Sequence, residues 1–287
     1  MPAQAQLLMI DPAYFDVSYA INPWMQPEAW ARDPQGMRAA ARRASQELRA
    51  ALERAGAGVT MAAGAPGLPD MVFPANAAVV LDGRALAARF RHPQRRGEEA
   101  PFLAIFEGLR AQGVLSEVAP LPAGCFQEGA GDCIWDPTRG HFWAGHGPRS
   151  SRESIDVMAN FFDREVVALE LVSERCYHLD VGFCPLSGGE VLYFPPALSE
   201  SALRTLHARV PPALRIEASE EDLRHFNVNA VCLGRHIVMA RPTARLRTEL
   251  TQRGYSVSEV ELAPFMLSGG GAFCMTLRLD WRSSTAA

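Results

Sequence analysis

Ala77-Ala-Val-Val-Leu-Asp82-Gly83-Arg84-Ala-Leu-Ala-Ala-Arg-Phe90 reads as two apolar strands joined by a two-residue turn. Asp-Gly tolerates the two positive φ angles that a tight antiparallel hairpin requires. Helical spacing follows from Glu98 to about Gln112, and a third strand is expected near 114–119. The same order then returns. Strands are expected at 132–136 and 141–145, a helix opened by Gly147-Pro-Arg149 runs to about Phe162, and another strand covers 166–172. Strands 177–183 and 191–193, helix 199–209 and strand 214–216 make a further unit, and 230–233, 236–240, 243–253 and 255–261 make another. The chain starts with a strand at 5–10 and an amphipathic helix at 36–55, and it ends with a strand at 274–278. About five such units are counted. Repetition of one supersecondary unit predicts an α/β fold of short sheets with helices outside, closed like a propeller. A doubly wound sheet is the competing arrangement, but no G-x-G-x-x-G follows a strand. No long linker or low-complexity stretch interrupts the 287 residues, so one domain over 1–287 is expected.

Composition narrows the function class. Hydrophobic residues make up 48% and charged residues 21%, as in an ordinary globular enzyme. A net charge of −4 without basic runs gives no footprint for nucleic acid or a membrane surface. No apolar run reaches the ~18 residues of a spanning helix, and the short run near Met1 lacks a basic flank. A cytoplasmic chain is therefore expected. Its six cysteines (125, 133, 176, 184, 232, 274) contain no C-x-x-C, which suits reduced thiols better than disulfides or zinc.

Chemistry concentrates in a few places. Ser268-Gly-Gly-Gly-Ala-Phe-Cys274 puts a thiol after three glycines, where a ligand can press against the main chain. A buried cysteine is more often inert, so the case depends on its company. Cys176-Tyr-His178-Leu-Asp180 is read as a strand with imidazole and carboxylate on one face, suited to acid/base work beside a bound cation. Glu128, in Phe126-Gln-Glu128-Gly-Ala-Gly-Asp132, is either a solvated loop acid or the carboxylate that holds the imidazole. Asp70 and Asn76 flank Phe73 in a Pro-punctuated turn, weak evidence by itself. Arg95 and Arg149 each stand near a helix start. They are ordinary surface arginines or, together, a carboxylate clamp.

Together these residues resemble the pentein guanidine-modifying enzymes: arginine deiminases, dimethylarginine dimethylaminohydrolases, amidinotransferases and arginine dihydrolases. Phe15-Asp-Val, Ile21-Asn22-Pro-Trp-Met, Glu128-Gly-Ala-Gly-Asp132, His178-Leu-Asp180 and Gly-Gly-Gly-Ala-Phe-Cys274 carry the resemblance over nearly the whole chain. The branch with Asn-Pro-Trp-Met and Phe-x-x-Asn, which includes arginine dihydrolase domains, is the most similar. The resemblance implies an α/β-propeller of pseudo-fivefold ββαβ repeats with the site on its axis. It further implies Cys274 as nucleophile, His178 as acid/base and Glu128 as its orienting carboxylate. Asp180 would hold the guanidinium, Arg95 and Arg149 would bind the substrate α-carboxylate, and Asp70 and Asn22 would contact substrate. Two departures stand out: Asn76 replaces an aspartate of deiminases and dimethylarginine hydrolases, and Pro74 replaces a small polar residue. The Asp of His-Leu-Asp is absent from dimethylarginine hydrolases and favours an unmethylated guanidinium.

The expected reaction is covalent hydrolysis of L-arginine or a close analogue, with no metal or organic cofactor. Asn76 extends it, because a neutral carboxamide both donates to and accepts from a neutral ureido group. Retained citrulline would then go on to ornithine. The alternatives are a dimethylarginine hydrolase, an amidinotransferase that needs an amine acceptor, and a non-catalytic pentein. A homo-oligomer is compatible with all of them.

Overall fold

The computed structural model describes residues 4–283. Its strands form five three-stranded sheets. In the sheet of Ala78–Leu81, Arg84–Ala87 and Glu117–Pro120, the first two strands are antiparallel and the second and third parallel, with helix Glu99–Ala111 as the crossover. The hairpin turn has φ of 56° at Asp82 and 76° at Gly83, the geometry its sequence anticipates.

Three further sheets repeat this ββαβ order: Cys133–Asp136 with His141–His146 and Val166–Glu170, Phe183–Pro185 with Val191–Tyr193 and Arg215–Glu217, and Val231–Leu233 with His236–Ala240 and Ser256–Val260. The fifth joins the two ends of the chain. Leu277–Arg278 pairs antiparallel with Gln6–Ile10, which pairs in parallel with Gly58–Ala62. The mixed α/β, fivefold repetitive architecture thus matches the one expected.

Crossover helices lie against these sheets through narrow apolar faces. Helix Pro34–Arg54 starts with Asp33 accepting from Gly36 N at 2.9 Å and proline in the first turn. Ala41, Ala44, Leu48, Ala51 and Leu52 form its buried stripe. Each of the two leucines contributes about 1.5–3 kcal/mol by leaving water. Among the described residues no helix is long and apolar enough to cross a membrane.

Three readings of secondary structure are corrected. Residues 177–183 are not a strand: Glu174–Cys176 is a 3-10 turn, Leu179–Gly182 a helical turn, and the strand begins at Phe183. Likewise only Leu277–Arg278 of the expected 274–278 is extended, because Met275 N bonds to Gly271 O and Thr276 N to Phe273 O in a tight turn. Every residue from 176 to 184 is buried, so its apolar alternation cannot report two faces of a strand. Strand Gly58–Ala62 was not anticipated, since its pattern is short and largely half-buried.

Candidate active site

Each sheet delivers one part of the site from the same place, the turn just before its first strand. Asn76 precedes Ala78–Leu81, Glu128 precedes Cys133–Asp136, and His178 with Asp180 precedes Phe183–Pro185. Asn229 precedes Val231–Leu233, and Cys274 precedes Leu277–Arg278. All six side chains are buried, none more than 2% exposed. Short turns feeding short strands bring residues from distant parts of the sequence to one spot.

The three glycines before Cys274 make close packing possible. A Cβ on Gly269 would lie 2.7 Å from Asn22 Oδ1, one on Gly270 2.2 Å from the Phe73 ring, and one on Gly271 2.8 Å from Asn229 Oδ1. Each glycine therefore admits a different neighbour.

Cys274 Sγ lies 3.1 Å from Asp180 Oδ2 and 3.0 Å from Asn229 Nδ2. Burial and then the Asp180 carboxylate push the thiol well above its usual range. Burial also lifts Asp180 to about 7, against hydrogen bonds from Cys274 and Asn229. Among the described residues, Asp180 Oδ1 is buried without a hydrogen-bond partner. An unpartnered carboxylate oxygen beside a buried sulfur is the donor set a cation would complete.

His178 is held from behind. Its Nε2 lies 2.7 Å from Glu128 Oε2, the same oxygen that accepts from Arg149 Nη1 at 3.0 Å. Burial would raise Glu128, but Arg149 and His178 reverse this and hold it well below the usual carboxylate range. Burial lowers His178 to about 4, opposed by Glu128. With Nε2–H given to Glu128, the network assigns His178 Nδ1 as the acceptor. Asn76 Nδ2 faces it at 3.4 Å. Asn76 Oδ1 accepts from Arg95 Nη1 at 2.8 Å, and a guanidinium can only donate, so this orientation of the amide is fixed.

The remaining candidates form the frame. Arg95 is bidentate with buried Glu98 and donates to Asp70 O. Removing one partner of such a pair costs about 3–5 kcal/mol. Asp70 accepts from Tyr19 Oη at 2.8 Å and Ser268 Oγ at 3.0 Å. Asn22 donates to Ser268 O at 3.1 Å and accepts from Trp24 N. Arg149 donates to Ile21 O and lies over the Tyr177 ring. The surface reading of Arg95 and Arg149 is corrected, since both are buried. A cavity of about 350 Å³ lies beside Ile21, Asn22, His92, Arg149, Glu174 and Tyr177, so Arg149 lines this open space.

Asn229, Glu98, Tyr19 and Ser268 were not singled out from the sequence. Asn227-Val-Asn229, two amides inside an apolar run, was the available signal for the first.

A family model described as N,N dimethylarginine dimethylhydrolase, eukaryotic, matches residues 11–280. The chain belongs to this dimethylarginine dimethylaminohydrolase family. Within the pentein superfamily, this family member falls on the arginine dihydrolase-like branch. It is 39% identical over 279 residues to the bifunctional arginine dihydrolase/ornithine cyclodeaminase ArgZ of Synechocystis sp., covering 97% of this chain. The chain spans only 38% of that relative's length. It is 31% identical over 278 residues to N(G),N(G)-dimethylarginine dimethylaminohydrolase of Mycobacterium tuberculosis, covering 97% of this chain and 87% of that one. Among solved structures, an asparagine-to-serine mutant of the ArgZ N-terminal domain, covalently bound to a reaction intermediate, is 37% identical. It superposes with a TM-score of 0.89 over 98% of this chain and 100% of that one.

Proposed function

We propose that this dimethylarginine dimethylaminohydrolase family member is one catalytic domain, its five sheets closed into a propeller, and that it hydrolyses L-arginine or a close guanidino analogue through Cys274. The observation that carries this reading is the buried sulfur 3.1 Å from Asp180, whose second oxygen has no partner among the described residues. Two similarities support it: the 39% identity to an arginine dihydrolase and the likeness to a fold solved with a covalent intermediate.

In this reading the guanidinium settles on Asp180. The cation neutralises the carboxylate that disfavours the thiolate, so substrate binding itself activates the sulfur. The thiol proton passes to His178. The thiolate adds to Cζ, His178 protonates a terminal nitrogen, and ammonia leaves a thiouronium on Cys274. Water then attacks the same carbon, His178 Nδ1 takes its proton, and collapse of the adduct expels the thiolate and frees citrulline. Glu128 keeps the imidazole oriented throughout.

Asn76 supports a second round. Its carboxamide suits the neutral ureido group, on which thiolate attack expels the second ammonia. Hydrolysis of the resulting thiocarbamate leaves a carbamate that loses carbon dioxide, so arginine and two waters give ornithine, two ammonia and carbon dioxide. Arg149, on the cavity wall, is read as a substrate α-carboxylate contact. Arg95 and Asp70 hold the Asn76 turn, and Asn22 closes the mouth.

Hydrolysis of methylated arginine at Cζ, releasing citrulline and a methylated amine, is the second reading, favoured by the family match. Mass-spectrometric product identification separates the two. L-Arginine is expected to give ornithine and ammonia without added amine. Citrulline and dimethylamine from dimethylarginine, with L-arginine untouched, would replace the proposal with the second reading. Ornithine formed only with an added amine would instead identify an amidinotransferase.

Asp180 also predicts a pH profile. Its pKa of about 7 in the free protein lies above the usual aspartate value, and only the carboxylate attracts guanidinium. Hence kcat/KM for L-arginine should fall with unit slope as pH drops below about 7. A profile flat through that pH would show that Asp180 does not titrate there or does not hold the cation.

A further inference from the structure

Asn229 is the fourth sheet's contribution to the ring of pre-strand turns, and the proposed chemistry above gives it no role. Its carboxamide is 0% exposed and makes three hydrogen bonds. Oδ1 accepts from Cys274 N at 3.1 Å, and Nδ2 donates both to Asp180 O at 3.1 Å and towards Cys274 Sγ at 3.0 Å. The amide cannot be turned round, because one end must meet a main-chain N–H and the other a main-chain carbonyl. A donor therefore faces the sulfur. Asp180 Oδ2, 3.1 Å from Sγ, is by contrast an acceptor, which suits the thiol form.

The turn that carries Asn229 is itself strained. Phe226 has φ of 54°, a left-handed backbone that a bulky aromatic residue seldom adopts. Its carbonyl accepts from Asn229 N at 3.2 Å, and its ring packs on Trp24 with centroids 4.8 Å apart. Asn229 O in turn accepts from Phe273 N. Strain of this kind persists where surrounding contacts over-determine a position.

We propose that Asn229 is a positioning residue for the reaction: its carboxamide locks the Cys274 main chain to the Asp180 turn and donates the hydrogen bond that steadies the sulfur as a thiolate. The proposal deepens the reading of Cys274 as nucleophile and rests on it. Asp180 disfavours the thiolate until a cation covers it, the Gly271 main chain and Asn229 favour it, and the nearby Tyr177 hydroxyl donates to Gly269 O at 2.6 Å.

Asn229→Asp keeps an acceptor for Cys274 N and removes the donor both to the sulfur and to Asp180 O. Its kcat for L-arginine should fall ~10–100-fold with KM changed less than ~threefold, the size of one hydrogen bond to a charged group. The second readout is the pH dependence of iodoacetamide alkylation, located at Cys274 by peptide mass, whose midpoint should move upward. The neutral Asn229→Ser variant should shift both readouts in the same direction, and it carries the comparison if the aspartate variant does not fold. Loss of thermal stability with kcat and alkylation midpoint unchanged would overturn the proposal, leaving Asn229 a scaffold residue. Wild-type turnover in Cys274→Ser would instead remove the reading on which it rests.

Discussion

With Cys274 replaced by serine, turnover of L-arginine is expected to drop by at least ~10³-fold, while the protein still folds and binds arginine. Serine is one atom different, and Asp180 and Asn229 can meet its hydroxyl where they meet the thiol. The stability change should therefore stay within about 1 kcal/mol. Reactivity is another matter. A bound guanidinium can bring a thiol into its anionic form, but an alcohol is far too weak an acid for the same help to suffice. The check is product formation by mass spectrometry beside arginine binding by calorimetry. A serine variant that turns over like the parent would exclude a covalent route through residue 274, and with it the thiouronium.

Asn76→Asp should change the product. Arg95 would still bond one oxygen at 76, so the turn keeps its anchor. The other oxygen would replace the Nδ2 that faces His178 Nδ1, setting a carboxylate where a neutral donor now stands. Such a site prefers a cation, so the arginine half-reaction survives while the neutral ureido group loses a donor. Citrulline should then accumulate and ornithine fall by at least ~tenfold, the loss expected when a hydrogen bond to a reacting group is replaced by an unpaired acceptor. An ornithine yield equal to the parent's would show that the second hydrolysis does not depend on the amide at 76.

The order of hairpin, helix and strand was legible because the Asp82-Gly83 turn, the apolar runs and the crossover helices are local consequences of φ preference and burial. The geometry of the site turns was not. The i, i+2 spacing of His178 and Asp180 predicts strand neighbours on one face, yet His178 caps and Asp180 lies in a helical turn, and Cys274 precedes its strand rather than starting it. Where every side chain is enclosed, periodicity no longer distinguishes strand from turn.

Roles divide in the same way. Residue types leave Glu128 as either a solvated loop acid or the partner of His178, the family resemblance favours the second, and a 2.7 Å contact joins the two. The use of Arg95 was not visible, because its fork is taken by Glu98, only three residues away, and a surface i,i+3 pair has the same sequence signature. Asn229 escaped notice because an asparagine between apolar residues looks the same whether it caps a turn or touches a sulfur.

The sequence by itself determined that about five like units would form, and it marked a glycine-led thiol, a histidine and several acids as the groups able to do chemistry. These follow from short-range rules of backbone and burial. Tertiary structure alone decided which of those residues meet. Sulfur, Asp180 and Asn229 converge through contacts 45 to 94 residues apart in the chain. Bringing such distant groups together depends on the packing of whole sheets, which no local pattern encodes.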